Sequence, residues 1–143
     1  MTGKFSIRSV PDQDPAEITR LVTEHLTTQF ALLNSKNQMN VVCDHAGKPW
    51  ISPYTHWNYA AAASAIKDVY GVEPDYTREG GSIPVTLTFQ QALSRNVVLL
   101  PMGRADDGAH SINEKFDLVN FTNGIKVLSL YLWNIANVVN IHH

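Results

Sequence analysis

The sequence predicts an α/β fold. Three observations carry that expectation: a short alternating pattern over residues 4–10, a continuous apolar run over residues 96–103, and long stretches whose apolar positions recur at helical spacing. Taken in order, the chain reads strand, helix, strand, helix, helix, strand, helix. No repeat or low-complexity tract interrupts it.

In "KFSIRSV", residues 4–10, Phe5, Ile7 and Ser9 alternate with Ser6, Arg8 and Val10, the pattern of a strand that needs a neighbour from elsewhere. Asp14, Pro15 and Glu17 then signal a helix start: a capping carboxylate, a proline in the first turn, and an acid at the third helical position. That helix is expected to run to about Leu33. Ile18, Leu21, Val22, Leu26, Phe30 and Leu33 form its apolar stripe, while Glu17, Arg20, Glu24 and Thr28 face away. A short strand follows over Asn40 to Asp44, with Cys43 as a small buried member, and Gly47 and Pro49 mark a segment boundary near Lys48.

"NYAAAASAIKDVYG" is a second helix, rich in the best helix former and closed by Gly71. After "TREGGSIP", the segment Pro84 to Leu93 reads as a helix by its start and as a strand by its "VTLTF" composition. "NVVLLPMG", residues 96–103, has the unbroken apolarity of a strand buried on both faces. Ser111 and Glu114 have capping-box spacing, and from Asp117 the positions Leu118, Phe121, Ile125, Leu128, Leu132, Ile135 and Val139 define a long last helix. His142 and His143 are expected to fray.

The chain has 143 residues, 44% of them hydrophobic and 17% charged, enough for one sizeable core. A net charge of −2 gives no reason to expect nucleic acid or an anionic membrane as partner. Small molecules and proteins remain. A single cysteine, Cys43, excludes an intrachain disulfide and favours a reducing, cytoplasmic setting. Neither a leader-type apolar region nor a membrane-length apolar run is present, so a soluble protein is expected.

Two places could carry chemistry. In the first, Gly80 and Gly81 would let backbone approach a ligand, and Ser82 near a helix start would leave N–H groups aimed at a carboxylate or oxyanion. The same residues also make an ordinary capped turn. The second is "GRADDGAHSINEK", residues 103–115, which gathers Asp106, Asp107, His110 and Glu114 in the loop leaving the apolar run, where open α/β sheets bind ligands. Imidazole is a common metal ligand and neighbouring carboxylates can orient it, yet a solvated acidic turn has this composition too. Arg8 could fork around a carboxylate or be an exposed strand residue. His45 and His56 could line a cleft or lie at the surface. Trp50, Trp57 and Trp133 read as packing groups.

"GVEPDYTREGGSIPVTLTFQ" followed by "NVVLLPMGRADDGAHSINEK" closely resembles the carboxyl-terminal part of the cytosolic non-specific dipeptidases. These form the carnosinase-like branch of the dinuclear metallopeptidases related to aminoacylase and glutamate carboxypeptidase. The likeness takes in "GKFSIRSVPD", "GKPW" and "NGIKVLSLYL", nearly the whole chain. It implies that residues 1–48 are the end of an α/β lid domain that also forms a homodimer contact, and that residues 49–143 return into a zinc-peptidase-like catalytic domain. The implied activity is hydrolysis of dipeptides such as Cys-Gly or carnosine-like substrates by water activated on two divalent ions, zinc or manganese, with a glutamate as base. By the same resemblance His110 of "DDGAHS" is a metal ligand. Ser82, with Gly81 and Glu79 beside it, and Arg8 bind the substrate's carboxylate end, and His45 of "DHAGKPW" stands near the cleft, although alanine replaces a family glycine there.

The remaining ligands, the bridging aspartate and the general base precede this segment in the family. The resemblance therefore implies a fragment that is inactive alone and binds metal weakly or not at all. Two other outcomes are open: a truncated interaction or dimerisation partner of a full-length dipeptidase, and an unstable remnant with exposed strand edges.

Overall fold

The computed structural model describes residues 1–78 and 84–141. It contains four helices, α1 Pro15–Leu32, α2 Trp57–Tyr70, α3 Pro84–Leu93 and α4 Leu118–Ile141. The backbone gathers into two compact units, one of Met1–Ile51 with Gly80–Ser94 and the other of Ser52–Glu79 with Arg95–His143. None of the described helices is long and apolar enough to cross a membrane.

In the first unit, Pro11 occupies the second position of a turn in which the Gln13 N–H donates to the Val10 carbonyl at 2.9 Å. The Gln13 side chain accepts from the Val10 N–H in return. Helix α1 begins as its sequence requires: Asp14 is extended and its carboxylate accepts from the Ala16 N–H at 2.8 Å. Glu17 does not complete a capping box but pairs with Arg20, which also reaches Glu24. None of the residues of α1 is fully buried, and Leu21 and Leu33 of the expected stripe are exposed. Helix α3 settles the ambiguity of "VTLTF": Thr86 is buried, and the Trp50 indole N–H donates to Gln90 Oε1 at 2.8 Å.

The second unit is organised by α2 packed on α4. Ala61, Ala62 and Ala65 bury their methyl groups along with Val127. Small side chains at this seam let the two backbones approach closely, in the manner of ridges fitted into grooves. Helix α2 is capped by His56, whose Nδ1 accepts from the Asn58 N–H at 3.1 Å, and ends on Gly71 at φ 75°. Below the cap runs a polar chain. Tyr131 donates its hydroxyl to Asn58 Oδ1 at 2.6 Å, Asn58 Nδ2 donates to the Asn96 carbonyl and Oδ1, and Asn96 Nδ2 donates to Ser52 Oγ. This chain fixes where the 96–103 segment starts. At its far end Met102 lies on Gly124 of α4, where a side chain on the helix would collide with the Met102 sulfur.

The strands of the α/β expectation are not found here. Among the described residues there is no strand, and the segments 4–10, 40–44 and 96–103 are non-helical without pairing. The reason is that a strand is a relation between two backbones: an apolar pattern supplies a face, but only a neighbour supplies the ladder. The 96–103 run is not buried on both faces either, since Leu99 is 51% exposed. Cys43, expected inside, is exposed, and so is Trp133. Ser111 and Glu114 do not start the last helix. Asp117 does, its carbonyl accepting from the Asn120 and Phe121 N–H groups.

Candidate functional site

The second unit places the "GRADDGAHSINEKFD" segment as a loop between the 96–103 run and α4. Its centre is Asp107, which is buried. The Asp107 carboxylate accepts from the Arg104 N–H at 2.7 Å and from Lys115 Nζ at 3.1 Å. Its main chain repeats the pattern, donating to the Arg104 carbonyl and accepting from the Lys115 N–H. Both ends of the loop thus converge on one residue. The Arg104 N–H, with the Lys115 charge adding to it, holds the Asp107 carboxyl below its ordinary value, and Lys115 is raised in turn chiefly by its bond to Asp107.

Two glycines make room for this arrangement. A Cβ on Gly103 would stand 2.8 Å from Asp107 Oδ2, and one on Gly108, which has φ 64°, would stand 2.8 Å from Ser111 Oγ. Asp106, by contrast, points to the surface and makes only exposed ion pairs, at 3.3 Å to Arg104 and 3.5 Å to Lys115. His110 is exposed on left-handed backbone with φ 66°. Its N–H donates to Glu114 Oε2 at 3.3 Å, and the Ser111 N–H closes the turn on the Gly108 carbonyl.

The sequence-derived site residues fall as follows. His110 is in the second unit, whereas Arg8 and His45 are in the first, both exposed. Next to His45, the Cys43 thiol donates to the His45 carbonyl at 3.5 Å. Glu79, Gly81 and Ser82 lie outside the described residues, as do His142 and His143. His56 is the cap of α2. The loop acids do not orient the imidazole: Asp106 and Asp107 are turned to Arg104 and Lys115.

Among the described residues no group of three or more His, Cys, Asp or Glu is arranged to hold a metal ion. A divalent centre needs several such donors around one point, and two of the loop's acids are already committed to cations. The described residues do not by themselves form a dinuclear centre. What sequence reasoning missed is the structural work of Asp107 and Asn58. The first had a signal, an aspartate followed by glycine with a second glycine at the loop's entry. Asn58, inside an alanine-rich helix, gave none.

Comparison with known proteins shows what the chain is similar to. The model of peptidase family M20/M25/M40 matches residues 2–134. The Cys-Gly metallodipeptidase dug1 of Schizosaccharomyces pombe is 55% identical over 136 residues, 95% of this chain and 29% of that protein. The human Beta-Ala-His dipeptidase is 40% identical over 136 residues, again 95% of this chain but 27% of the relative. A solved structure of the di-peptidase Dug1p from Saccharomyces cerevisiae superposes with a TM-score of 0.84 at 52% identity, covering 88% of this chain and 26% of that one. Human carnosine dipeptidase 1 superposes with a TM-score of 0.83 at 38% identity, covering 90% and 27%. The chain spans less than a third of the length of these relatives, while its own length is almost wholly accounted for by them. With a family match across nearly all of its residues, the chain belongs to peptidase family M20/M25/M40.

Proposed function

We propose that this chain acts as the carboxyl-terminal part of a metal-dependent dipeptidase that cleaves Cys-Gly or carnosine-like dipeptides. The observation that carries the proposal is the 55% identity to a Cys-Gly metallodipeptidase over 95% of the chain. In this reading His110 supplies one ligand to one of two divalent ions, zinc or manganese, in the complete enzyme. Its exposure at the crest of a tethered loop supports that role, because a ligand must reach outward from a firm base. Arg8 and Ser82, with Gly81 and Glu79, receive the carboxylate end of the dipeptide, and His45 stands beside it. A guanidinium can hold a carboxylate through two parallel hydrogen bonds, which selects a free C-terminus over an internal peptide. The general base and the other metal ligands belong to the rest of the enzyme.

The remaining assignments are part of the same proposal: residues 1–48 end a lid domain that forms a homodimer contact, residues 49–143 belong to the catalytic domain, and the setting is cytoplasmic. The 4–10, 40–44 and 96–103 segments then become strands by pairing within the larger sheet. A second reading, a non-catalytic partner of a full-length dipeptidase, is favoured by one observation. The described donors form no metal set among themselves, as a non-catalytic partner would show.

The test is a chimera in which this chain replaces the matching segment of the Schizosaccharomyces pombe enzyme. Hydrolysis of Cys-Gly is measured with added manganese or zinc. The chimera is expected to be active, and His110→Ala to lower its rate by roughly 100-fold or more, since a metal centre supplies several kcal/mol of transition-state stabilisation. An active chimera indifferent to His110→Ala removes the proposed role of that residue. An inactive but folded chimera supports the partner reading.

A further inference from the structure

We infer that Asp107 is a positioning residue, holding the 103–117 loop in the one backbone course that presents His110. The inference rests on the reading of His110 as a metal ligand. Asp107 itself is turned away from that role. Its carboxylate and its main chain together make four hydrogen bonds to Arg104 and Lys115, so that a single buried residue ties the entry of the loop to its exit.

The loop needs such a tether. His110 at φ 66° and Gly108 at φ 64° occupy left-handed backbone, and a non-glycine residue stays there only when its surroundings over-determine it. The bonds that surround His110 directly are few: its N–H to Glu114 at 3.3 Å and the Ser111 N–H to Gly108 at 2.9 Å. Asp117 also meets the Arg104 and Lys115 side chains, at 3.3 Å each, but from the half-exposed side; the buried closure with main-chain bonds to both is that at Asp107. The glycine at 103 belongs to the same device, since any Cβ there would crowd the Asp107 carboxylate. Asp106 supplies an internal control, having the same charge one residue away but only exposed ion pairs.

Two measurements test the inference. In the 143-residue chain, amide hydrogen exchange is compared before and after Asp107→Ala, with Asp106→Ala as control. The Arg104 and Lys115 amides are expected to exchange at least about tenfold faster in the first variant and within about twofold in the second. In the chimera stripped of metal, zinc affinity is read by competition with a chromophoric chelator. His110→Ala should weaken it most, and Asp107→Ala by about 10-fold to 100-fold, the range for residues that orient a ligand. Unchanged exchange in Asp107→Ala overturns the tether. Unchanged zinc affinity in Asp107→Ala, with His110→Ala weakened, overturns the positioning role alone. Unchanged affinity in His110→Ala overturns the ligand reading and the inference with it. Should Asp107→Ala raise exchange throughout α2 and α4 as well, Lys115→Met decides: faster exchange confined to the loop supports the tether, and none overturns it.

Discussion

Asn58 shows how much one residue can organise. It is buried near the start of α2, where its main-chain N–H satisfies the His56 imidazole and its side chain joins Tyr131 to Asn96. An asparagine can do this because its amide offers both donors and an acceptor; no apolar residue of similar size can. Burial pushes the Tyr131 phenol above its ordinary value, so the hydroxyl keeps the proton it donates. Replacing Asn58 with alanine leaves the Tyr131 hydroxyl and Asn96 without their partner. The expected loss is about 1–3 kcal/mol of stability, measured by chemical unfolding of the chain. Asn58 was illegible in the sequence because its partners lie 38 and 73 positions away and nothing local distinguishes it from a tolerated helix asparagine. The roles proposed for His110 and Arg8 came from short motifs that resemble a family, and they stay proposals until the chimera is assayed.

Helices were legible from periodicity and caps, strands only as faces. Helix α1 starts where the Asp14, Pro15 pair requires, and α2 stops at Gly71, because those signals act within one turn. The "VTLTF" segment went against its strand-forming composition once Thr86 was buried and Trp50 reached Gln90, contacts invisible to propensity. The 103–117 loop lends itself to a pH prediction. The Asp107 carboxyl is held below its ordinary value, so the folded loop favours the ionised form. Its contribution is fully present above the unfolded value, about pH 4, and is lost as pH falls through the lower folded value. Titrating the Arg104 amide signal by NMR from pH 6 to pH 2 (roughly the range that brackets these values) should show one transition below about pH 4. Asp107→Asn should abolish it.

For the whole molecule the decisive quantity is surface. Among the described residues the buried hydrophobic set is three alanines and Val127, while Phe5, Ile7, Val42, Phe121 and Leu132 are exposed. Such surface calls for a partner. The isolated chain is expected to self-associate as concentration rises, seen by light scattering, and to bind a hydrophobic dye; incorporation in the chimera should suppress both. A monomer with a sharp unfolding transition and no dye binding would count against that expectation.

The loop's closure on Asp107 leaves one further mark, at His110. Backbone with φ 66° is itself a filter on chemistry. Of the side chains able to donate to a metal or a substrate, histidine and aspartate tolerate it several-fold better than most, whereas a β-branched residue there is a genuine outlier and a residue so placed stores about 1–3 kcal/mol of strain. The loop therefore narrows its own vocabulary before any ligand arrives. Engineering a different donor into this position means rebuilding the turn first, and a swap of side chain alone would be answered by the backbone.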